Sequence, residues 1–118
     1  TIVTVIETNK QDENYKPLQD NLKRLKASRL ETGKAPEIVT LPMPKPLIFE
    51  GIRIPASYAN FLIINNCVLV PTFNDPNDRF ALNTLADCFP KHEIIGISAI
   101  DLIWGFGTLH CLSQQIPE

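Results

Sequence analysis

The sequence predicts an α/β fold built from repeated strand-strand-helix-strand (ββαβ) units. Short β-branched apolar runs alternate with two helical stripes. Their order is strand, helix, strand, followed by strand, strand, helix, strand. The second group is a complete ββαβ unit, and the first is the same unit without its opening strand. Repeat-like units therefore span about residues 1–42 and 58–98, and residues 105–118 open a third. The whole is read as one fragment of about two units, whose strand edges would be left unpaired.

Ile2-Val3-Thr4-Val5-Ile6 is apolar and β-branched on both parities, the pattern of a strand buried on both faces. Glu7 to Asn14 is polar and reads as a loop. Tyr15, Leu18, Leu22 and Leu25 make one helical stripe, with Pro17 acceptable in its first turn. Lys23, Arg24 and Lys26 are its solvated face, near the C-terminal end where cations suit the helix dipole. Thr32-Gly33-Lys34 is a turn, and Glu37 to Leu41 a second strand. Alternating Pro42, Pro44 and Pro46 deny helix and favour a rigid extended crossing, which Gly51 to Pro55 continues as loop.

Tyr58 to Ile64 and Cys67 to Val70 read as strands joined by a hairpin turn at Asn65-Asn66, because Asn tolerates positive φ. Pro71 closes the second. Asp75-Pro76-Asn77-Asp78 starts a helix, with Asp75 as N-cap and Pro76 at the first helical position. Its stripe is Phe80-Ala81, Leu85 and Cys88-Phe89, and Pro90 ends it. Glu93 to Ile97 is the next strand, Ile100 to Trp104 a short helical turn, and Leu109 to Ser113 a trailing strand.

The 118 residues are 44% hydrophobic and 20% charged, ordinary for a globular protein. A net charge of −2 gives no electrostatic case for nucleic acid or anionic membrane as partner. No apolar run approaches the roughly 20 residues of a membrane span. Cys67, Cys88 and Cys111 are an odd count without a CxxC pair, so a reducing cytoplasm is the expected compartment. His92, His110 and Cys111 do not fall into a zinc pattern, and no metal is expected. The chain opens at Thr1 directly in a strand pattern, which reads as a piece of a longer polypeptide.

The organising stretch is Gly105-Phe106-Gly107-Thr108-Leu109-His110-Cys111-Leu112-Ser113-Gln114-Gln115-Ile116-Pro117. A cysteine beyond a glycine-rich turn is a candidate nucleophile, since the turn leaves its sulfur accessible. Three segments together resemble the agmatine deiminase family of guanidine-modifying enzymes: Asn14-Tyr15 with Leu18 and Asn21; Pro55-Ala56-Ser57-Tyr58-Ala59-Asn60-Phe61, continuing through Val70-Pro71, Asp75, Asp78, Phe89-Pro90 and Ile95-Gly96-Ile97; and Gly107 to Cys111 with Gln114, Gln115 and Pro117.

The resemblance implies an α/β-propeller (pentein) fold of ββαβ units around a pseudo-fivefold axis, of which this chain would be a C-terminal, partial propeller. It implies hydrolysis of a guanidinium group, with agmatine giving N-carbamoylputrescine and ammonia. Cys111 stands at the family's nucleophile position and would pass through a covalent thiouronium adduct. No cofactor is implied. The expected partners are a small guanidine substrate, the missing N-terminal part of the same protein and, through unpaired edges, a second copy. Trp104, Gly107 and Thr108 are the expected substrate-binding residues.

The family's typical turn is Gly-Gly-Gly-Asn before a β-branched residue, His and Cys. Here Phe106 replaces a glycine and Thr108 the asparagine, which leaves open agmatine, free arginine or peptidyl arginine as substrate. A non-catalytic ββαβ binding module is the remaining alternative. The family's His-x-Asp base motif and a further substrate carboxylate precede Thr1, so the isolated chain is expected to be inactive. His110 would point away from Cys111 on a strand and reads as structural. His92 reads as solvated, Cys67 and Cys88 as core, and Asp75 and Asp78 as helix caps. Asp101 caps or orients the turn before Gly105. Trp104 walls a cation pocket through its ring face or packs, and Asn60 hydrogen-bonds the site or ties down a loop.

Overall fold

A computed structural model describes residues 1–116, which divide into a unit of residues 1–43 and a second that starts at Pro44. The first unit is strand β1 (Ile2–Ile6), helix α1 (Tyr15–Ala27) and strand β2 (Ile38–Pro42). β1 and β2 pair in parallel, Ile2 opposite Ile38 through Ile6 opposite Pro42. A parallel pair needs a crossover, and α1 supplies it. Asn21 Nδ2 donates to Thr4 Oγ1 at 3.1 Å, which ties the helix to the middle of β1. The expectation of a strand buried on both faces is not met. Of the five β1 residues only Thr4 is buried, because β2 is its only sheet partner among the described residues and α1 itself has no buried residue.

The second unit opens with a hairpin absent from the sequence reading. Strands β3 (Leu47–Phe49) and β4 (Ile52–Ile54) pair antiparallel where loop was expected. Glu50 and Gly51 form its two-residue turn with φ of 47° and 78°, the double left-handed geometry that matches strand twist. Strands β5 (Leu62–Ile64), β6 (Cys67–Thr72) and β7 (Glu93–Ser98), with helix α2 (Asn77–Cys88) between the last two, form the ββαβ unit. The sheet order is β5-β6-β7, antiparallel then parallel. Neither Asn65 nor Asn66 takes positive φ at the β5–β6 turn, and Pro71 does not end β6, which runs on to Thr72. Residues 58–61 are turn and coil rather than strand.

The core of this unit is Ile54, Ala56, Tyr58, Val68, Val70, Phe73, Ala81, Leu85, Ala99 and Ile103. From the α2 stripe Phe80 is exposed, while Ala81 and Leu85 are buried. The helix start is a reciprocal cap. Asp75 Oδ1 accepts the Asn77 N–H at 2.8 Å, and Asp78 Oδ2 accepts the Asp75 N–H at 3.0 Å. Asp78 Oδ1 also accepts the Tyr58 hydroxyl at 2.7 Å and the Phe73 N–H at 3.0 Å. These bonds hold the segment before β5 against the start of α2, and so fix where Asn60 emerges.

Candidate active site

The stretch from Gly105 to Ile116 is a chain of tight turns and not the trailing strand expected at Leu109 to Ser113. A 3₁₀ turn (Leu102–Gly105) ends at Phe106, whose N–H donates to the Ile103 carbonyl at 2.9 Å and whose φ is 61°. The Leu112 N–H then closes on the Thr108 carbonyl at 3.1 Å, and the Ser113 N–H on the His110 carbonyl at 3.1 Å. Apolar alternation over five residues is too short to separate a strand from one turn of helix, and these local hydrogen bonds decide for the turn. The argument that His110 and Cys111 lie on opposite faces of a strand lapses with it. His110 is exposed, and its backbone carbonyl also accepts the Ser113 hydroxyl at 2.8 Å.

Asn60 brackets this turn. Its Nδ2 donates to Cys111 Sγ at 2.8 Å, and its Oδ1 accepts the Cys111 N–H at 3.1 Å. Its backbone carbonyl accepts the His110 N–H at 3.3 Å and the Thr108 hydroxyl at 3.4 Å. One residue 51 positions upstream of the cysteine thus holds both the sulfur and the backbone that carries it. Asn60 is itself held by its N–H on the Ser57 carbonyl at 3.2 Å. No periodicity marks such a contact; the signal in the sequence was the polar residue inside Ala-Ser-Tyr-Ala-Asn-Phe.

Cys111 is exposed, as an attacking sulfur requires. Gly107 is buried against it: a Cβ there would stand 2.8 Å from Cys111 Cβ, closer than carbons tolerate. Thr108 is fully buried, so its hydroxyl serves the turn through Asn60. Trp104 is half-exposed and meets Phe49 edge to face, ring centroids 3.8 Å apart. His92, expected in solvent, is half-buried edge to face on Phe89. Cys67 and Cys88 form no disulfide and are only partly buried rather than core, and Pro117 lies outside the described residues. No cluster of three or more metal-ligating side chains occurs among the described residues, and no described helix is long and apolar enough to cross a membrane.

The family model described as Porphyromonas-type peptidyl-arginine deiminase matches residues 1–117. The agmatine deiminase of Pseudomonas fluorescens is 34% identical over 125 residues, covering 91% of this chain and 34% of its own length. The chain spans 28–34% of the length of the curated relatives it matches. Among solved structures, C. jejuni agmatine deiminase superposes with a TM-score of 0.83 at 39% identity, covering 92% of this chain and 32% of that one. Enterococcus faecalis agmatine deiminase superposes with a TM-score of 0.90 at 28% identity, covering 98% and 36%.

Proposed function

Because the chain belongs to the Porphyromonas-type peptidyl-arginine deiminase family, we propose that it is the part of a guanidine-hydrolysing enzyme that carries the nucleophile, Cys111. The observation that carries this reading is the bracket of Asn60 on Cys111, which fixes an exposed sulfur by two side-chain hydrogen bonds. A structural cysteine needs no such partner. The C. jejuni relative supports it, since its structure with substrate bound is of a Cys-to-Ser form.

In this reading the Cys111 thiolate attacks the guanidinium carbon, a C–S bond forms, and one C–N bond breaks as the amino group leaves as ammonia with a proton from a general acid elsewhere in the protein. Water, deprotonated by the same group now acting as base, attacks the thiouronium carbon, the C–S bond breaks, and the sulfur leaves as the thiolate with a neutral ureido product. Asn60 holds the sulfur in line through both steps. Agmatine, giving N-carbamoylputrescine and ammonia, is the substrate its relatives favour. The chain acts as one part of a longer pentein propeller, whose remainder supplies the base and the carboxylates that grip the guanidinium. Three cysteines without a disulfide fit a reducing compartment such as the cytoplasm.

The test is ammonia release from agmatine by the full-length protein and its Cys111→Ser form. Steady release by the parent, none by the variant, and a covalent adduct on the peptide containing Cys111 are expected. Turnover that survives Cys111→Ser sinks the assignment. Turnover of arginine or peptidyl arginine without agmatine redirects it to those substrates, and no turnover of any guanidine favours a binding module.

A further inference from the structure

The hairpin β3–β4 and the turn before Cys111 flank an open hollow of about 230 Å³ lined by Phe49, Glu50, Ile52, Ile54, Trp104 and Phe106. Its walls are three aromatic rings and two isoleucines. Its one charged lining residue is a carboxylate. Rings and a carboxylate attract a cation that carries an apolar stem.

The backbone around this hollow is strained. Among the described residues three non-glycine residues have positive φ, and two of them, Glu50 and Phe106, line it. A bulky phenylalanine at φ 61° is costly, and burial does not offset the cost, because the residue is 60% exposed. Asparagine would suit the Glu50 turn position better than glutamate, so local geometry does not explain this glutamate. Strain retained at two bulky or charged positions of one hollow is accounted for by what those side chains do there. Phe106 also joins the hollow to the nucleophile, because the next residue, Gly107, is packed against Cys111.

Resting on the deiminase reading above, we propose that this hollow is a specificity pocket that takes the far, ammonium end of the substrate whose guanidinium meets Cys111. Trp104, Phe49 and Phe106 enclose the cation and its methylenes, and Glu50 supplies the opposing charge. The volume is that of about eight water molecules in the liquid, which suits a short alkylammonium and not a peptide chain. The site therefore selects ω-amino guanidines over guanidines with a neutral or anionic tail.

The experiment compares agmatine with n-butylguanidine, which has the same length and a methyl in place of the ammonium, on the full-length protein and its Glu50→Gln and Trp104→Ala forms. Glu50→Gln is expected to lower kcat/KM for agmatine about tenfold more than for n-butylguanidine, and Trp104→Ala to erase most of the remaining preference. Equal losses on both substrates, or none on either, overturn the pocket. Thermal unfolding of each variant identifies a packing role: a lowered Tm with the agmatine preference intact also overturns it. Calorimetric binding of both compounds to Cys111→Ser separates this proposal from its premise. If the parent turns over no guanidine, a preference for agmatine that Glu50→Gln abolishes keeps the pocket while the reaction falls. Equal binding of the two compounds, or binding of neither, removes the pocket as well.

Discussion

Asn60 is the residue on which the site turns, and its two side-chain bonds are separable. The Oδ1 bond to the Cys111 N–H shapes the turn, while the Nδ2 bond reaches the sulfur. Asn60→Asp keeps an acceptor for the N–H but presents no donor to Sγ. In the full-length protein it is expected to retain stability within about 1 kcal/mol and to lose about a hundredfold in kcat, the usual cost of a nucleophile held out of line. Asn60→Ala removes both bonds and is expected to lose about 1–3 kcal/mol as well. The pair is read by denaturant unfolding beside kcat. If Asn60→Asp falls in stability as far as Asn60→Ala with kcat unchanged, Asn60 serves only the loop. Cys111 stood out as a candidate in the sequence less through its glycine-rich turn, a weak signal alone, than through its place in the family's His-Cys motif. For Asn60 the sequence left two roles open, a bond to the site or a tie for the loop, because its partner lies 51 residues away; the structure gives it both. Thr108, expected at the substrate, is fully buried with its hydroxyl on the Asn60 carbonyl, a burial that no local sequence pattern marks.

At the scale of elements, the aspartates at the start of α2 are fully engaged in structure. Asp75 and Asp78 cap each other, Asp75 Oδ2 also accepts the Lys45 N–H at 2.9 Å, and Asp78 accepts the Tyr58 hydroxyl. This helix start was readable because Asp-Pro-Asn-Asp satisfies its own orphan N–H groups within four residues. The β3–β4 hairpin was not, because prolines flank it and Glu-Gly is an unusual turn pair. Tyr58 is where this network becomes measurable. Burial first, then the hydrogen bond and charge of Asp78 and the charge of Asp75, raise its hydroxyl well above the ordinary tyrosine value of 10.0. A raised value means that the folded state holds the proton more tightly than the unfolded chain. Its contribution is therefore complete below about pH 10 and is lost as pH rises beyond. Stability followed by urea unfolding is expected to fall steeply above about pH 10. Tyr58→Phe is expected to flatten that slope, at a cost of about 1–2 kcal/mol at neutral pH. An unchanged alkaline slope in Tyr58→Phe assigns the effect to another group.

For the whole molecule, the sheets are the limiting fact. The described residues form sheets of two, two and three strands. A two-stranded parallel sheet buried on one face by a single helix is far from self-sufficient, because parallel strands rely on cover from both sides. Accordingly β1, whose composition is that of a fully buried strand, is only half-buried, and Ile48, Ile52, Ile63 and Ile64 are exposed. The apolar content was thus legible, but what covers it was not, since a strand's sequence reports how deeply it is buried and not by which partner. Catalysis adds a second demand. On the proposed reading, deimination needs a base and carboxylates around the guanidinium, whereas the turn at Cys111 offers a sulfur and the amide of Asn60. We therefore expect residues 1–118 produced alone to release no ammonia from agmatine and to self-associate through their exposed strands, as size exclusion and light scattering would show. The same residues within the full-length protein are expected to be monodisperse at those interfaces and active. Steady ammonia release by residues 1–118 alone would contradict both arguments at once, because it would require a complete site and a stable sheet from these strands. A monomeric but inactive chain would contradict only the argument from the sheets, and would leave the division of the catalytic groups standing.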